Sequence, residues 1–336
     1  MPNVIPPITL AFSSHRLETL PQAESVMASH DHIIIEEPPT PEVEQMLAGA
    51  LALEDYLLVA DYDYPAFAEA ACRILQRLHR EGKRIYPCEP FMDRLIRIHA
   101  HFTDGGRPAA LEADHHLWPV YQAEREATGR LLAFYRSSAA GDFHRMVRAA
   151  CTFAVADASR FILRDQLRAE AITRLMNDSQ GSVYIEAGYM HLRLLRELRR
   201  RLPREAAIRP LYLLGEVYRA AGLPSHLYGP GDVLTLALIF GRKMEAARRH
   251  LLAARSLIYN QLVIKEEIPP GREAYPDARD DLAVIQYVNH LDYEDCRQLY
   301  GRIAGMDPRA ARRAADGFPP PEVVSGHGEG DWVPPR

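Results

Sequence analysis

Short runs of consecutive apolar residues alternate along this chain with longer stretches in which apolar residues recur at helical spacing. Ile8 to Phe12 (ITLAF) reads as a first strand, followed by the polar turn Ser13-Ser14-His15-Arg16-Leu17-Glu18. Pro21 to Ser29 suits a helix with its proline in the first turn. Ile33-Ile34-Ile35 is too short for a helix and fits a strand covered on both faces, as in a parallel sheet. Thr40 opens a second helical pattern, with Pro41, Glu42 and Glu44 in its first turn. Tyr56 to Ala60 fits a short strand or the end of a helix. Phe67 to Glu81 is amphipathic, with Ala71, Leu75 and Leu78 on one face and Gly82 as its stop. Arg84 to Cys88 is then a further strand. The order strand, helix, strand predicts right-handed βαβ units.

Beyond Glu89 the pattern changes to mostly helical from Phe91 to Cys151, with charged faces and a break at Gly105-Gly106. Thr152 to Met176 is a strong helix, and Asn177-Asp178-Ser179-Gln180-Gly181 is a polar turn whose glycine suits a left-handed stop. Ser182 to Ala187 is short and rich in strand formers. Gly188 permits a sharp exit into another helix, with His191 one turn inside it. Ile208 to Leu214 reads as a strand, and Gly231 to Asn260 and Asp281 to Ala304 as helices. The expectation is an α/β fold with a mainly parallel or mixed sheet, flanked by helices and enlarged by a helical insertion. Residues 1–90 would form the first half of the core and 91–150 the insertion or cap. Residues 151–316 would be the second half with additional helices, and 317–336, rich in Pro and Gly, a disordered tail.

Composition narrows the function classes. The chain has 336 residues, 47% of them hydrophobic, with a formal net charge of −5, so no global field favours nucleic acid. The basic run Arg196 to Arg204 lacks aromatic interleaving and reads as a solvated helix face. The four cysteines are widely spaced, with no C-x-x-C pair, which argues against a structural zinc site or a secreted disulfide framework. The opening residues have no basic stretch followed by a long apolar core, and the apolar run Val233 to Phe240 is far short of the ~20 residues that span a bilayer. A soluble cytoplasmic protein is expected, acting on a small-molecule or peptide substrate without nucleic acid or membrane, with a homodimer as a candidate assembly. No phosphate-binding loop, dinucleotide fingerprint, nucleophile elbow or His-Glu-x-x-His is present.

Four proposed strands end in polar residues able to do chemistry: His15 and Glu18, Glu36-Glu37, Glu89, and Glu186 with His191. In a parallel sheet these ends lie along one edge, where ligands of open α/β sheets bind. Two histidines and several carboxylates there could hold a divalent cation or act as general acid and base. Strand alternation lets only one of Glu36 and Glu37 point into such a site. Glu186 lies in an apolar strand and would need a partner, Arg164 or a metal. Arg160, Arg164 and Arg168 share one helix face; Arg164, followed by Asp165, could orient a carboxylate or bind an anionic substrate group, while Arg160 and Arg168 fit a surface stripe. His99 and His101 do not face each other on a helix, His115-His116 fits a surface helix start, and Asp61 and Asp63 fit turn chemistry.

The same residues resemble the superfamily that includes TraB/pheromone-shutdown proteins, Tiki metalloproteases, erythromycin esterases and ChaN-like proteins. ITLAFSSHRLE followed by HIIIEEP is similar to its opening strand–turn–His and strand–Glu pattern. Arg164-Asp165, Ala169 and Gly188-Tyr189-Met190-His191 are similar to its late helix pair, small-residue step and Gly-x-x-His turn. The chain departs from the pattern in carrying Phe12-Ser13-Ser14 where glycine usually precedes the first histidine. The resemblance implies a hydrolase that activates water with a bound divalent metal (Mn, Co or Zn) or with a His/Glu base. His15 and His191 would be ligands or bases, Glu37 (or Glu36) a ligand or general base, and Glu186 a second carboxylate. A metal would sit on His15, Glu37 and His191, with Arg164, Asp165 and Glu89 on the substrate. The membrane-tethered or lipid-anchored location of the Tiki and ChaN branches is not implied. The competing expectations are a non-catalytic module on the same scaffold, binding a small molecule, haem or a protein, and a helical scaffold protein.

Overall fold

A computed structural model describes residues 7–60, 62–177, 180–223, 226–316 and 318. Asp61, part of the turn at 178–179, and nearly all of the expected tail (317 and 319–336) lie outside the described residues. The chain divides into two compact units, Met1–Gln122 with Phe161–Glu216, and Ala123–Arg160 with Val217–Arg336.

The first unit is built on a parallel sheet in the order β3-β2-β4-β1-β5. Its strands are β1 (Ile8–Ser13), β2 (His32–Ile35), β3 (Arg84–Pro87), β4 (Val183–Gly188) and β5 (Ile208–Tyr212). Every pairing is parallel, which resolves the expectation of a parallel or mixed sheet. The isoleucine run of β2 is buried on both faces, as its composition required. Burying each of those side chains contributes roughly 2 kcal/mol.

Helices α1 (Leu20–Ala28), α2 (Pro41–Ala48), α3 (Leu53–Ala60) and α4 (Pro65–Arg80) connect β1 to β2 and β2 to β3. They form one core with Ala11, Ile33, Ile35, Tyr184 and Leu213, so they cover one face of the sheet. Tyr56 to Ala60 belongs to helix α3 and is not a strand, and Tyr56 is buried in this core. Helix α5 (Pro90–Thr103), the short α6 (Pro108–Leu111) and the start of α7 (Trp118–Ala139) follow β3. Phe91, Ile98, Leu111, Leu117 and Val120 form a second core there, with Leu163 and Leu167 of α8 (Phe143–Asn177) packed against it. Helix α8 begins well before Thr152, so residue 151 lies inside one continuous helix rather than at a boundary. Helix α9 (Leu192–Arg201) joins β4 to β5.

The strand order places a switch point. From β2 the chain moves to β3 at one edge, and from neighbouring β4 it moves past β1 to β5 at the other. Connections that leave two adjacent strands in opposite directions open a crevice at their carboxyl ends. In this sheet that crevice lies where Glu36 follows β2 and Gly188 ends β4.

The second unit is helical. After α10 (Gly215–Ala220), which spans the division, come α11 (Pro230–Ile239), α12 (Ala246–Leu262), α13 (Pro276–Asn289), α14 (Tyr293–Ile303) and α15 (Pro308–Ala315). Helix α12 is its centre, packing on α11, α13, α14 and α15. A cavity of about 330 Å³ is lined by Leu234, Ala237 and Leu238 and by Arg242, Lys243 and Arg249. Among the described residues no helix is long and apolar enough to cross a membrane.

Candidate functional site

The switch point is held together by side chains from three strand ends and from α8. The backbone N–H of Glu36 donates to Glu186 Oε2 at 3.1 Å, and the N–H of Gly188 donates to Glu36 Oε2 at 2.5 Å. Glu186 is therefore partnered by a backbone amide, not by the Arg164 that its buried position suggested.

Alternation along β2 continues into the loop. Ile33 and Ile35 face α1 to α4, so Glu37 follows them to that face, while Glu36 follows Ile34 to the other. There Glu36 meets three cations. Arg168 Nη1 is 3.0 Å from Oε2, Arg164 Nη2 is 3.5 Å from Oε1, and His191 Nε2 is 3.1 Å from Oε1. His191 Nδ1 lies 2.5 Å from Asp165 Oδ1, so both ring nitrogens are engaged by carboxylates. Burial alone would raise the Glu36 carboxyl, but His191, Arg168 and Arg164 outweigh it and hold it well below the usual carboxylate range. Burial alone would lower the His191 imidazole, but Glu36 and Asp165 outweigh it and raise it to about 9. His191 is thus an imidazolium at neutral pH. It stands at the N-cap position of α9 rather than one turn inside the helix, with its ring directed to Asp165 and Glu36 instead of to the helix amides.

Arg168 is completely buried. Besides its ion pair with Glu36 it donates from Nε to the Cys88 carbonyl at 2.9 Å and from Nη2 to the Glu186 carbonyl at 2.6 Å, tying the ends of β3 and β4 together. The surface-stripe reading of this residue is incorrect, because the arginine face of α8 turns inward here. Arg160, two turns earlier, pairs with Glu124 and Asp157 as a helix-face residue does. Glu89 is buried at the N-cap of α5, where it accepts from the Phe91 N–H at 3.2 Å and lies 3.5 Å from Arg164 Nη2. Arg164, Asp165 and Glu89 thus belong to the buried network around Glu36 and His191. Polar atoms buried without a hydrogen bond collect here: Asp165 Oδ2, Glu89 Oε2, Arg164 Nε and Arg168 Nη1. Such atoms are scarce in folded proteins.

The other side is more open. His15 follows β1 with a φ of +53°, one of two non-glycine residues in the left-handed region among those described. That conformation costs about 1–2 kcal/mol for a residue with a Cβ. Its N–H donates to Ser13 Oγ at 3.0 Å, and Thr19 Oγ1, 3.4 Å from the same oxygen, donates to the Arg16 carbonyl at 2.7 Å. The serines that replace glycine before His15 therefore do not take the strained position. The histidine takes it, and Ser13 supports the turn. The His15 ring is about one-third exposed, packs against Phe67 with centroids 5.4 Å apart, and brings Nε2 to 3.9 Å from Glu186 Oε1. Glu18 is buried beside the same turn.

Gly188 lies between the two sides. A Cβ built there would meet His191 Cδ2 at 3.4 Å and both Glu36 Oε2 and His15 Cε1 at 3.7 Å. The absent side chain leaves a small space bounded by the three groups. Glu37, on the α1–α4 face, accepts a hydrogen bond from the Tyr62 hydroxyl at 2.7 Å, and Tyr62 is 2.9 Å from the Tyr56 hydroxyl. Burial raises the Glu37 carboxyl to about 7; the Tyr62 hydrogen bond opposes this, and Glu186, Glu36 and Glu89 add to it.

These contacts decide how well a divalent cation fits. His191 has no ring nitrogen free, Glu36 is surrounded by cations and an amide, and Glu37 is turned to Tyr62. Among the described residues no group of three His, Cys, Asp or Glu side chains is arranged to hold a metal ion. The expected set of His15, Glu37 and His191 does not fit one.

No family model matches the chain, and no solved structure matches it. An uncharacterized protein of Archaeoglobus fulgidus is 27% identical over 298 residues, covering 88% of this chain and 98% of that protein.

Proposed function

We propose that the first unit is a metal-independent hydrolase that cleaves an ester, lactone or peptide bond at the switch point. The observation that carries this reading is the space over Gly188, bounded by His15, Glu36 and His191 from three strand ends. His15 is the general base. A water between its Nε2 and Glu186 would give one proton to the imidazole and direct the other at the carboxylate, leaving the oxygen to attack a carbonyl. In the buried network, His191, Arg168 and Arg164 keep Glu36 ionised despite its burial, and Glu36 and Asp165 keep His191 charged at neutral pH. The network fixes the ends of β2 and β4, and it keeps a positive imidazolium edge beside the space where negative charge develops on the attacked carbonyl.

The test is turnover of peptide, ester and lactone substrates by protein treated with a chelator, with His15→Ala alongside. Cleavage that survives chelation and falls by about 100-fold or more in the variant is expected. Equal turnover in the variant would sink the role of His15. A chelator-sensitive rate would sink the metal-independent reading. The saturation of the buried ions from within favours one second reading, a binding module that keeps the crevice but not the reaction. That reading gains if no substrate is cleaved and a ligand still raises the melting temperature.

A further inference from the structure

The second unit holds a cavity of about 330 Å³ that the hydrolase reading does not use. Leu234, Ala237 and Leu238 line it from α11. Their spacing of three and four residues puts them on one helix face, and Leu234 and Ala237 are buried. Gly241 then ends the helix in the left-handed conformation, at a φ of +63°. Its N–H donates to the Leu238 carbonyl at 3.0 Å, and the N–H of Arg242 donates to the Ala237 carbonyl at 2.8 Å. That closure holds the basic residues that follow against the end of the helix they leave. Arg242 and Lys243 line the cavity from this connection, and Arg249 lines it from the start of α12. All three cations are exposed. Met244 completes the apolar side with an unbranched chain that adapts to what it touches. Among the described residues no carboxylate lines this space.

We propose that this cavity binds a small amphipathic anion, a carboxylate or phosphate group carried on a short apolar chain. The sign of the ligand follows from the lining. Three cations around one space repel one another, and an anion between them relieves that repulsion. It also takes charge-assisted hydrogen bonds from the two guanidinium forks of Arg242 and Arg249. The tail follows from the opposite wall. Leu234, Ala237, Leu238 and Met244 offer hydrocarbon to hydrocarbon, so a ligand with an apolar chain removes more apolar surface from water than a bare ion does. The size follows from the volume. At about 30 Å³ for each non-hydrogen atom, the share of a water molecule in the liquid, the cavity has room for roughly ten. That suits a chain of about six to eight carbons with its acid group, and a volume at the lower end of small-molecule pockets excludes a nucleotide or a long-chain lipid. The proposal does not depend on the chemistry at the switch point.

Calorimetric titration of the full chain with octanoate, hexyl phosphate, octanol and inorganic phosphate separates the charge from the tail. At least one of the two tailed anions should bind with a Kd on the order of 100 µM, and the tighter of them identifies the head group. Octanol lacks the charge and inorganic phosphate lacks the tail, so each should bind at least about tenfold more weakly. Binding should also weaken as salt is raised, because the cations are exposed. The double variant Lys243→Gln/Arg249→Gln changes two exposed side chains, so its melting temperature without ligand should match wild type. Its affinity for the tailed anion should fall by about tenfold or more, and Arg249→Gln alone should lose several-fold, so the test does not rest on the pair. Leu238→Ala should weaken the tailed anion several-fold and leave inorganic phosphate unchanged. No binding of either tailed anion up to about 5 mM would overturn the proposal. So would octanol binding as tightly as the anions, or an affinity unchanged in the folded double variant.

Discussion

The two faces of the sheet at its carboxyl edge handle charge in opposite ways. On the α8 face, Glu36, Glu89 and Asp165 are matched by Arg164, Arg168 and His191, nearly all of them buried. On the α1–α4 face, Glu37 and Glu186 are met by hydroxyls, an amide and a partly exposed histidine. Burial would raise the Glu36 carboxyl, but the charges of His191, Arg168 and Arg164 outweigh it and hold it low, whereas burial with no such cations beside it raises Glu37 to about 7.

The largest effect should come from breaking the α8 face. Replacing Arg168 by Met leaves Glu36 and Glu89 with fewer counter-charges and leaves the Cys88 and Glu186 carbonyls without their donor. Truncating one partner of a buried ion pair typically costs about 3–5 kcal/mol. Urea unfolding should show a loss of that order. A loss under about 1 kcal/mol would mean that this face does not rest on its ion pairs.

The open face should respond in activity and hardly at all in stability. Glycine accepts the left-handed conformation that His15 is forced into, so His15→Gly relieves strain of about 1–2 kcal/mol and gives back about 0.5–1 kcal/mol in chain entropy. Stability should stay level or rise slightly while turnover falls by about 100-fold or more. Gly188→Ala belongs to the same test. Its Cβ makes ordinary contacts at 3.4 to 3.7 Å, so the protein should fold normally. Turnover should nevertheless fall by roughly tenfold, because the space over Gly188 is filled. An alanine variant as active as wild type would show that this space does not take the reacting group.

How far the sequence reveals this division follows from the range of each interaction. The triple isoleucine of β2 announces a doubly covered strand, and the alternation that separates Glu36 from Glu37 is local, so both are legible. The convergence of His15, Glu36, Glu186 and His191 follows once the strands are taken as parallel. The order in which the strands lie does not, because the switch point depends on which strand each crossover reaches. Arg168 was missed because spacing of four groups it with Arg160 and Arg164 without saying which part of that stripe turns inward. Its neighbours Leu167, Ala169 and Ile172 were the available hint. Tyr62 was missed because its partner is 25 residues away. Nor does the replacement of glycine by Phe12-Ser13-Ser14 reveal that the left-handed residue of this turn is the histidine itself.

The smallest effect gives the sharpest separation of the two faces, because it has a sign. The carboxyl of Glu37 is raised from an ordinary 4.5 to about 7 in the folded chain. A group raised in this way contributes stability that is complete below its unfolded pKa and is lost as the pH rises through the folded one. Wild type should therefore lose about 1–2 kcal/mol from this group between about pH 5 and about pH 8, a figure reduced for its partial exposure. His191, raised to about 9, also loses part of its contribution as the pH rises above its ordinary 6.5. Glu36 runs the other way, keeping its contribution above its ordinary range and losing it only in acid. Comparing wild type with Glu37→Gln at both pH values cancels the parts due to His191 and Glu36. The variant should gain stability relative to wild type at the higher pH and not at the lower. A gain equal at both would mean that Glu37 is ionised throughout, and that the contrast between the two faces is one of packing rather than of charge.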